Sequence, residues 1–312
     1  MAKIWPLTGV SLLAASCGVT AGRVHDTEPS AALPTPVPTS GAPAGVSAPV
    51  PSSTPGQTGS TQPSPTSTEA STPTPLPEYG GTSRCAQANT VICDGFEAQS
   101  PGDQPDSGLW HVVTNPGNTI EVSNTRAARG SQSLHIHSPV TGSIGATIRT
   151  SRGFPAPSNT IYGRLFLYLD AAQAPGGHNT VVRASGAASN GSNLIQFGAM
   201  FHNYVANWGG PGADNGGYSQ TAFPVKKWVC LEWAHKGDEA ELNVWADGAS
   251  IFVMTNNWVQ GNQRLQGPKI AYNELDIGWE VYEHFDDDLN SGTYEVYIDE
   301  IAVDYQRIGC GN

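Results

Sequence analysis

The stretch Thr160–Asp170, TIYGRLFLYLD, alternates between two kinds of side chain. Successive side chains of a β-strand point to opposite faces, so residues two apart share a face. One face of this stretch is aliphatic, with Ile161, Leu165, Leu167 and Leu169. The other face carries aromatic and cationic groups, namely Tyr162, Arg164, Phe166 and Tyr168. The pattern predicts a strand that buries its aliphatic face in a core.

Strand signals of this kind recur along the second half of the chain, separated by clusters of Gly, Asn, Pro and Ser. The other predicted strands are 119–123, 133–137, 146–150, 180–184, 194–207, 228–233, 241–246, 274–281 and 295–304. No stretch of twelve or more residues has a helical period. We therefore predict an all-β domain over residues 81–312, a two-sheet antiparallel sandwich of the jelly-roll, concanavalin-like kind.

The first 80 residues have a different composition. Residues 1–16 combine Lys3 with a short apolar run, which is typical of a signal peptide and too short to span a bilayer. The motif LAASC ending at Cys17 is typical of a lipoprotein, in which that cysteine is acylated. Residues 18–80 hold 13 of the 24 prolines, so we predict a disordered stalk over 17–80. These features predict an exported, lipid-anchored protein of a bacterial cell envelope, with an outer surface favoured.

The cysteine count fits this organisation. The chain has five cysteines, an odd number that needs an explanation in an exported protein. If Cys17 carries lipid, the remaining four suffice for two disulfides in an oxidising compartment. We favour the pairs Cys85–Cys93 and Cys230–Cys310.

The charge balance excludes one class of partner. The net charge is −12, and a nucleic-acid-binding protein needs a basic surface to displace counterions from phosphate. We therefore expect no nucleic-acid partner and no membrane contact except through the lipid, and we expect a monomer. The aromatic and cationic strand faces favour a polysaccharide partner, such as a plant or algal cell-wall polymer or a polymer of uronic acids.

Several motifs together carry a family resemblance. They are CDGFE at 93–97, WVCLEW at 228–233, GWE at 278–280, YIDEI at 297–301 and RIGCG at 307–311. This set resembles the core of the fungal cellulose-induced secreted proteins, a β-jelly roll related to glucuronan lyases and more distantly to alginate lyases. The resemblance implies the same fold and the same Cys230–Cys310 bridge.

The resemblance also implies a structural calcium ion that joins the first strand, the following turn and the last strand. Glu97 and Asp299 match the acidic ligands of the family. The turn matches 128–133, where Arg129 would offer its carbonyl oxygen and Gln132 stands in the place of an asparagine. Oxygen ligands of this kind are what calcium prefers.

For function, we favour a uronate lyase that cuts by β-elimination. Such an enzyme neutralises the sugar carboxylate, removes the C5 proton and protonates the leaving O4. We expect Arg183 and Gln196 to hold the carboxylate, His202 to be the base and Tyr204 the proton donor, with His178 as a second candidate base. The expected substrate-binding residues are Tyr162, Arg164, Tyr168, Trp208, Glu280 and Tyr282.

Two alternatives stay open. A non-catalytic carbohydrate-binding module would need only aromatic stacking, for example by Tyr162, Tyr168, Tyr204 and Trp208. A jelly-roll glycoside hydrolase would need two carboxylates on one strand face, and Glu274, Asp276 and Glu280 share one by alternation.

Overall fold

The computed structural model describes residues 79–85, 89–139, 144–171, 177–188, 193–209, 215–255, 258–260, 263–265, 267–283 and 293–311. All of them belong to the unit Thr68–Asn312. The predicted signal peptide, Cys17 and nearly all of the predicted stalk lie outside the described residues. Within the described ranges, no helix is both long and apolar enough to cross a membrane.

Strands make up most of the described chain, and a short 3-10 turn lies at Pro157–Asn159. The strands are β1 (Ile92–Asp94), β2 (His111–Thr114), β3 (Thr119–Ser123), β4 (Ser133–Pro139), β5 (Ile144–Thr150), β6 (Thr160–Asp170), β7 (His178–Ala188), β8 (Leu194–Met200), β9 (Asn203–Gly209), β10 (Asn215–Ala222), β11 (Trp228–Lys236), β12 (Glu241–Ala246), β13 (Ala249–Met254), β14 (Trp258–Gln260), β15 (Gln263–Leu265), β16 (Ile270–Glu283) and β17 (Thr293–Asp304).

The strands form two large antiparallel sheets and one small one. Sheet A has eight strands in the order β13-β12-β11-β6-β17-β4-β3, with β1 paired to β17. Sheet B has seven strands in the order β10-β9-β8-β7-β16-β5-β2, and β14 pairs with β15 apart from both. Neighbours in the sheets are often distant in sequence, as in a jelly roll. The predicted all-β, two-sheet fold is confirmed.

The core lies between sheets A and B and contains the predicted aliphatic face of β6. Ile161, Leu165, Leu167 and Leu169 are all buried in the main apolar cluster. Gly163 lies on the same face by alternation and is paired with Trp233 on β11. A Cβ at this position would come within 2.0 Å of the Trp233 ring. The glycine therefore makes room for the indole in the core.

One predicted strand is in fact two. The stretch 194–207 was expected to be continuous, but β8 ends at Met200 and β9 begins at Asn203. Phe201 and His202 form the turn between them, with φ of 49° and 66°. A two-residue hairpin of this kind needs positive φ at both positions, which normally favours Asn and Gly. Phe-His lacks that signature, so the alternation concealed the turn.

Both predicted disulfides are confirmed. Cys85 is bonded to Cys93 with 5.0 Å between their Cα atoms, and Cys230 is bonded to Cys310 with 5.8 Å. The second bond joins the tail after β17 to β11. In the same region Arg307 donates hydrogen bonds to both carboxylate oxygens of Glu232. The chain end is therefore fixed to sheet A by covalent and ionic contacts.

Candidate functional site

A continuous row of polar residues crosses the outer face of sheet B. Register places His111, Arg149, Asp276, Arg183, Gln196 and Asn207 opposite one another on six consecutive strands. Residues directly opposite in an antiparallel pair share a face. Their chain neighbours Ile148, Ile277 and Phe197 lie in the core, so the row faces outward. We call these six residues the polar row.

Asp276 is the centre of the row. It is 2% exposed, and its two oxygens accept hydrogen bonds from Arg149 Nε at 2.6 Å and Arg183 Nε at 3.1 Å. This contact with Asp276 raises the pKa of Arg149 above its ordinary value. Two outer carboxylates complete the network, because Glu274 lies 3.2 Å from Arg149 and Glu280 lies 2.9 Å from Arg183. The network fixes both guanidinium groups at the surface of the sheet.

A depression of about 910 Å³ adjoins the β2 end of the row. Its lining includes His111, Arg149, Arg152 and Glu274, together with part of the loop before β2. Neither the His111 imidazole nor the Arg152 guanidinium has a hydrogen-bond or ion-pair partner among the described residues. The depression therefore offers a titratable ring and an uncommitted cation beside a fixed one.

The structure brings together one of the predicted catalytic pairs. Arg183 on β7 lies directly opposite Gln196 on β8. Glu280, predicted to contact substrate, is on the same face and is paired with Arg183. Tyr282 follows two residues later on β16, and its side chain lies outside the described part. Thus Arg183, Gln196 and Glu280 form one polar surface.

Three other predicted site residues are not part of this surface. Tyr204 and Trp208 are 2% and 1% exposed and pack in the core, so their expected contacts with substrate are corrected. His202 lies in the β8–β9 turn, six residues from Gln196, or about 20 Å along the strand direction. The turn shifts the alternation, so residues after it face the opposite way from the prediction. Burial also raises the pKa of Tyr204, which opposes formation of its phenolate.

His178 is at the first position of β7 and is 6% exposed. Its register is with the far end of β16, away from the Asp276 level of the row. Its burial and its position keep it apart from the depression that contains His111.

The predicted substrate-binding residues of β6 lie on the outer face of sheet A, the opposite side of the sandwich. Arg164 is 2% exposed and pairs with Glu300 at 3.3 Å, and that carboxylate also accepts the Arg84 backbone N–H. Burial lowers the pKa of Arg164 despite this carboxylate. Tyr168 is 8% exposed and lies under the Arg126 guanidinium. Tyr162 is partly exposed on the same strand. The predicted alternation of β6 is right, but the buried Arg164 and Tyr168 do not form a ligand groove.

The predicted calcium ligands surround one turn. Glu97 accepts hydrogen bonds from the backbone N–H groups of Ser131 and Gln132, and Asp299 accepts them from Ala128 and Arg129. A Cβ on Gly130 would meet Glu97 Oε1 at 2.2 Å, and φ there is +64°, so the turn needs glycine. Burial raises the pKa of Asp299 well above its ordinary value.

The fit to an oxygen-ligated cation depends on Gln132. Its Nε2 donates to the Gln99 carbonyl at 2.9 Å, which identifies the other atom as Oε1. That Oε1 is buried without a hydrogen-bond partner, as an acceptor awaiting a donor or a cation would be. The described chain brings no three His, Cys, Asp or Glu side chains into one metal-binding group. Two carboxylates, an amide oxygen and turn carbonyls are nevertheless chemically suited to calcium.

Sequence reasoning missed four residues of the surface around the depression. Arg149 falls on the outward parity of the predicted strand 146–150, so its direction was readable from alternation. Asp276 was considered only as a hydrolase carboxylate. His111 and Arg152 lie on a short edge strand and in a turn, where no periodic signal exists.

Two packed antiparallel sheets, one with a row of polar residues on its outer face, define a jelly-roll sandwich with a candidate ligand surface. Among solved structures, the cellulose-induced protein Cip1 matches with a TM-score of 0.56 and 20% identity, over 70% of this chain and 100% of that chain. A chain reported among endo-acting O-glycanases of the human gut microbiota matches with a TM-score of 0.50 and 15% identity, over 70% and 100%. An endo-β-1,4-glucuronan lyase from the fungus Trichoderma reesei matches with a TM-score of 0.49 and 12% identity, over 65% and 94%.

At these identities the matches bear on the fold alone. The resemblance to the cellulose-induced protein, expected from the motifs, is confirmed at the level of the fold. No family model and no curated protein matches the sequence.

Proposed function

We propose that this chain acts on a uronic-acid polysaccharide bound across the outer face of sheet B and cuts it by β-elimination. The observation that carries the proposal is the depression lined by His111, Arg149 and Arg152. Arg152, an arginine without an ion-pair partner among the described residues, can bind the carboxylate of an anionic sugar. The exposed imidazole of His111 can accept a C5 proton. The surface lies on a sandwich whose fold is shared with a cellulose-induced protein.

The chemistry follows from these side chains. Arg152, which has no ion-pair partner among the described residues, neutralises the uronate carboxylate, and this neutralisation acidifies the C5 proton of that sugar. The neutral His111 imidazole accepts this proton, the C4–O4 bond breaks, and a C4–C5 double bond forms. The leaving O4 takes a proton from the imidazolium. A positioned base of this kind contributes roughly 10²–10⁴-fold to the rate.

The polar row extends the binding surface away from the depression. The row runs from β2 to β9 over five inter-strand spacings, or about 24 Å at ~4.8 Å each. Arg183, Gln196 and Asn207 lie along this path. Gln196 and Asn207 are only 9% and 5% exposed, so a chain of sugars that crosses the strands would contact mainly Arg183 and Glu280 on this path.

The geometry favours a lyase over a hydrolase. Glu274 and Asp276 contact Arg149, and Asp276 and Glu280 contact Arg183. A glycosidase needs one carboxyl group as a general acid beside a second as nucleophile or base. All three carboxylates here are instead bound to arginine.

The direct test is to incubate the purified chain with glucuronan, alginate and cellulose. We expect ultraviolet absorbance from unsaturated uronate ends on at least one acidic polymer and none on cellulose. Reducing ends without absorbance would indicate a hydrolase, and retention on polymer without new ends would indicate a binding module. Either result would contradict the lyase proposal.

We also propose that calcium binds at the turn 128–132, with Glu97, Gln132 Oε1 and Asp299 as ligands and the Arg129 carbonyl nearby. The ion would supply the partner that the buried Gln132 oxygen otherwise lacks. Chelation should lower the Tm of the wild-type chain, and added calcium should restore it. In Glu97→Gln the calcium-dependent change in Tm should disappear, while Glu121→Gln, on β3 away from the turn, should keep it. A wild-type Tm that is insensitive to chelation and to added calcium would contradict the site.

Anchoring at Cys17 and export are further proposals, supported by the sequence of the first 80 residues. We expect the cell-derived protein to partition into detergent and Cys17→Ala to remain in the aqueous phase. Equal aqueous partitioning of both would contradict lipidation.

A further inference from the structure

Two exposed aromatic side chains lie together at the β10 side of sheet B. Tyr218 is 48% exposed and Phe201 is 43% exposed, and their ring centroids are 6.1 Å apart in an edge-on arrangement. Tyr218 lies opposite Val205 on β9. The neighbours of Val205, Tyr204 and Ala206, are in the core, so Val205 and Tyr218 face outward. The pair therefore belongs to the same face as the polar row.

The exposure of this pair calls for a cause. Single exposed apolar residues are common on protein surfaces, whereas adjacent ones on a candidate binding face indicate contact with a ligand. The large apolar residues exposed in the described part of the chain are Tyr79, Phe201, Tyr218 and Val253. Phe201 also has a positive φ of 49°, a backbone region that favours Asn or Gly over a bulky side chain.

A line of paired residues on the outer face of sheet B connects Tyr218 to the charged centre. Register leads from Tyr218 through Val205, Gly198 and Thr180 to Glu280. Gly198 has no room for a side chain, since a Cβ would come within 1.9 Å of the Asn179 carbonyl oxygen. Small residues thus separate the aromatic pair from Thr180 by three inter-strand spacings, or about 14 Å.

We propose that Phe201 and Tyr218 form an aromatic platform that binds one sugar ring of the same polysaccharide, at a subsite remote from the depression. This inference rests on the proposed function. The C–H groups on a face of a pyranose ring are apolar and pack against an aromatic face, while its equatorial hydroxyls reach neighbouring amides. The platform lies six strands from His111, so a single chain occupies both only if it is several sugars long. The substrate class is therefore a long polymer cut internally, and short oligosaccharides bind without the platform.

The test compares Tyr218→Ala and Phe201→Ala with two controls. Tyr218→Phe keeps the ring, and Val253→Ala removes an equally exposed apolar side chain from sheet A. The readouts are KM and kcat on the acidic polymer that the wild-type chain cuts, and on its di- and trisaccharide fragments. Thermal unfolding of each variant checks that it is folded.

We expect both alanine variants to raise KM for the polymer about 2- to 10-fold with kcat unchanged, as loss of one aromatic contact predicts. KM for the short fragments should stay unchanged, and both controls should match wild type. If Tyr218→Ala matches Val253→Ala on a polymer that the wild type cuts, the platform is wrong and the proposed function stands. If Tyr218→Ala raises KM for the short fragments as much as for the polymer, the platform is not remote from the depression, and the proposal is also overturned. If wild type neither binds nor cuts any polymer, the proposed function fails, and the platform fails with it.

Discussion

At the scale of single residues, Asp276 organises the candidate site. A carboxylate that is 2% exposed would be costly without partners, and here two arginines reach its two oxygens. The outer carboxylates Glu274 and Glu280 then balance the charge of the arginines at the rim. Asp276 fixes the positions of the two guanidinium groups, and Glu274 and Glu280 change the electrostatic potential above them.

We predict that Asp276→Asn destabilises the fold by on the order of 3 kcal/mol, since it removes the buried partner of two cations. Glu280→Gln is the matched control and should cost about 1 kcal/mol or less, because its side chain is 30% exposed and Arg183 keeps Asp276. Urea unfolding measures both free energies. Equal losses in the two variants would contradict the central role of Asp276.

His235 is a second residue with a clear physical consequence. It is fully buried beside Tyr272, both ring nitrogens lack a hydrogen-bond partner, and burial lowers its pKa to about 3. The unfolded chain has an ordinary histidine there, so below pH ~6.5 the unfolded state binds a proton that the folded state does not. His235 therefore leaves the free energy of unfolding unaffected by pH above pH ~6.5, and it lowers this free energy as the pH falls toward 3.

Between pH 6.5 and 4, His235 should lower the wild-type free energy of unfolding by about 1.4 kcal/mol for each pH unit that the pH falls. We predict that His235→Leu lacks this contribution. The measurement is the free energy of unfolding of wild type and variant at several pH values, with their difference plotted against pH. Val253→Ala, which removes an exposed side chain that does not titrate, serves as the control and should run parallel to wild type. A constant difference between His235→Leu and wild type would show that His235 does not titrate on unfolding.

At the scale of elements, the β8–β9 hairpin separates what sequence could predict from what it could not. Alternation correctly assigned both faces of β6, because a regular strand preserves parity. It failed after Met200, because a two-residue turn made of Phe201 and His202 has no Gly or Asn to reveal it. It also could not show that the polar face of β6 is covered, since Arg164 is buried by contact with Glu300 from the distant β17. Such long-range contacts leave no local pattern.

We predict that His202→Gly stabilises the hairpin by up to about 1 kcal/mol and leaves polymer cleavage unchanged. The backbone there has φ of 66°, a conformation that costs a non-glycine residue roughly 1–2 kcal/mol. The reciprocal control is Gly248→Ala in the β12–β13 turn, where φ is +81° and a Cβ would have open space. It should lose a similar amount in thermal or urea unfolding. Destabilisation by His202→Gly, or loss of cleavage, would contradict this description of the turn.

At the scale of the whole molecule, two sheets close the core while their outer faces have different roles. The outer face of sheet A carries the ends of the domain: the Glu97–Asp299 turn, the buried Arg164–Glu300 pair and the Cys230–Cys310 bond. The outer face of sheet B carries the polar row and the depression. Structural fixation and the proposed ligand contact are thus on opposite sides, so changes in one should leave the other largely intact.

We predict that removing Cys230–Cys310 by a double alanine substitution costs about 3–4 kcal/mol, and that removing Cys85–Cys93 costs less. The first bond closes a loop of sequence separation 80 and the second one of 8, and a longer loop loses more entropy when closed. Urea unfolding of both variants measures the order. The reverse order would show that native contacts of the 85–93 segment outweigh loop entropy. Cleavage of the polymer should persist in any variant that remains folded.

If the depression at His111 performs the chemistry, cleavage of the polymer depends on the His111 imidazole. Initial rates of ultraviolet absorbance on an acidic polymer are compared for wild type, His111→Ala and His202→Gly at equal folded concentration. We expect His111→Ala to lose roughly 10²–10⁴-fold in kcat, and His202→Gly to match wild type. Full activity in His111→Ala, or its loss in His202→Gly, would contradict the account and place the base elsewhere in the molecule.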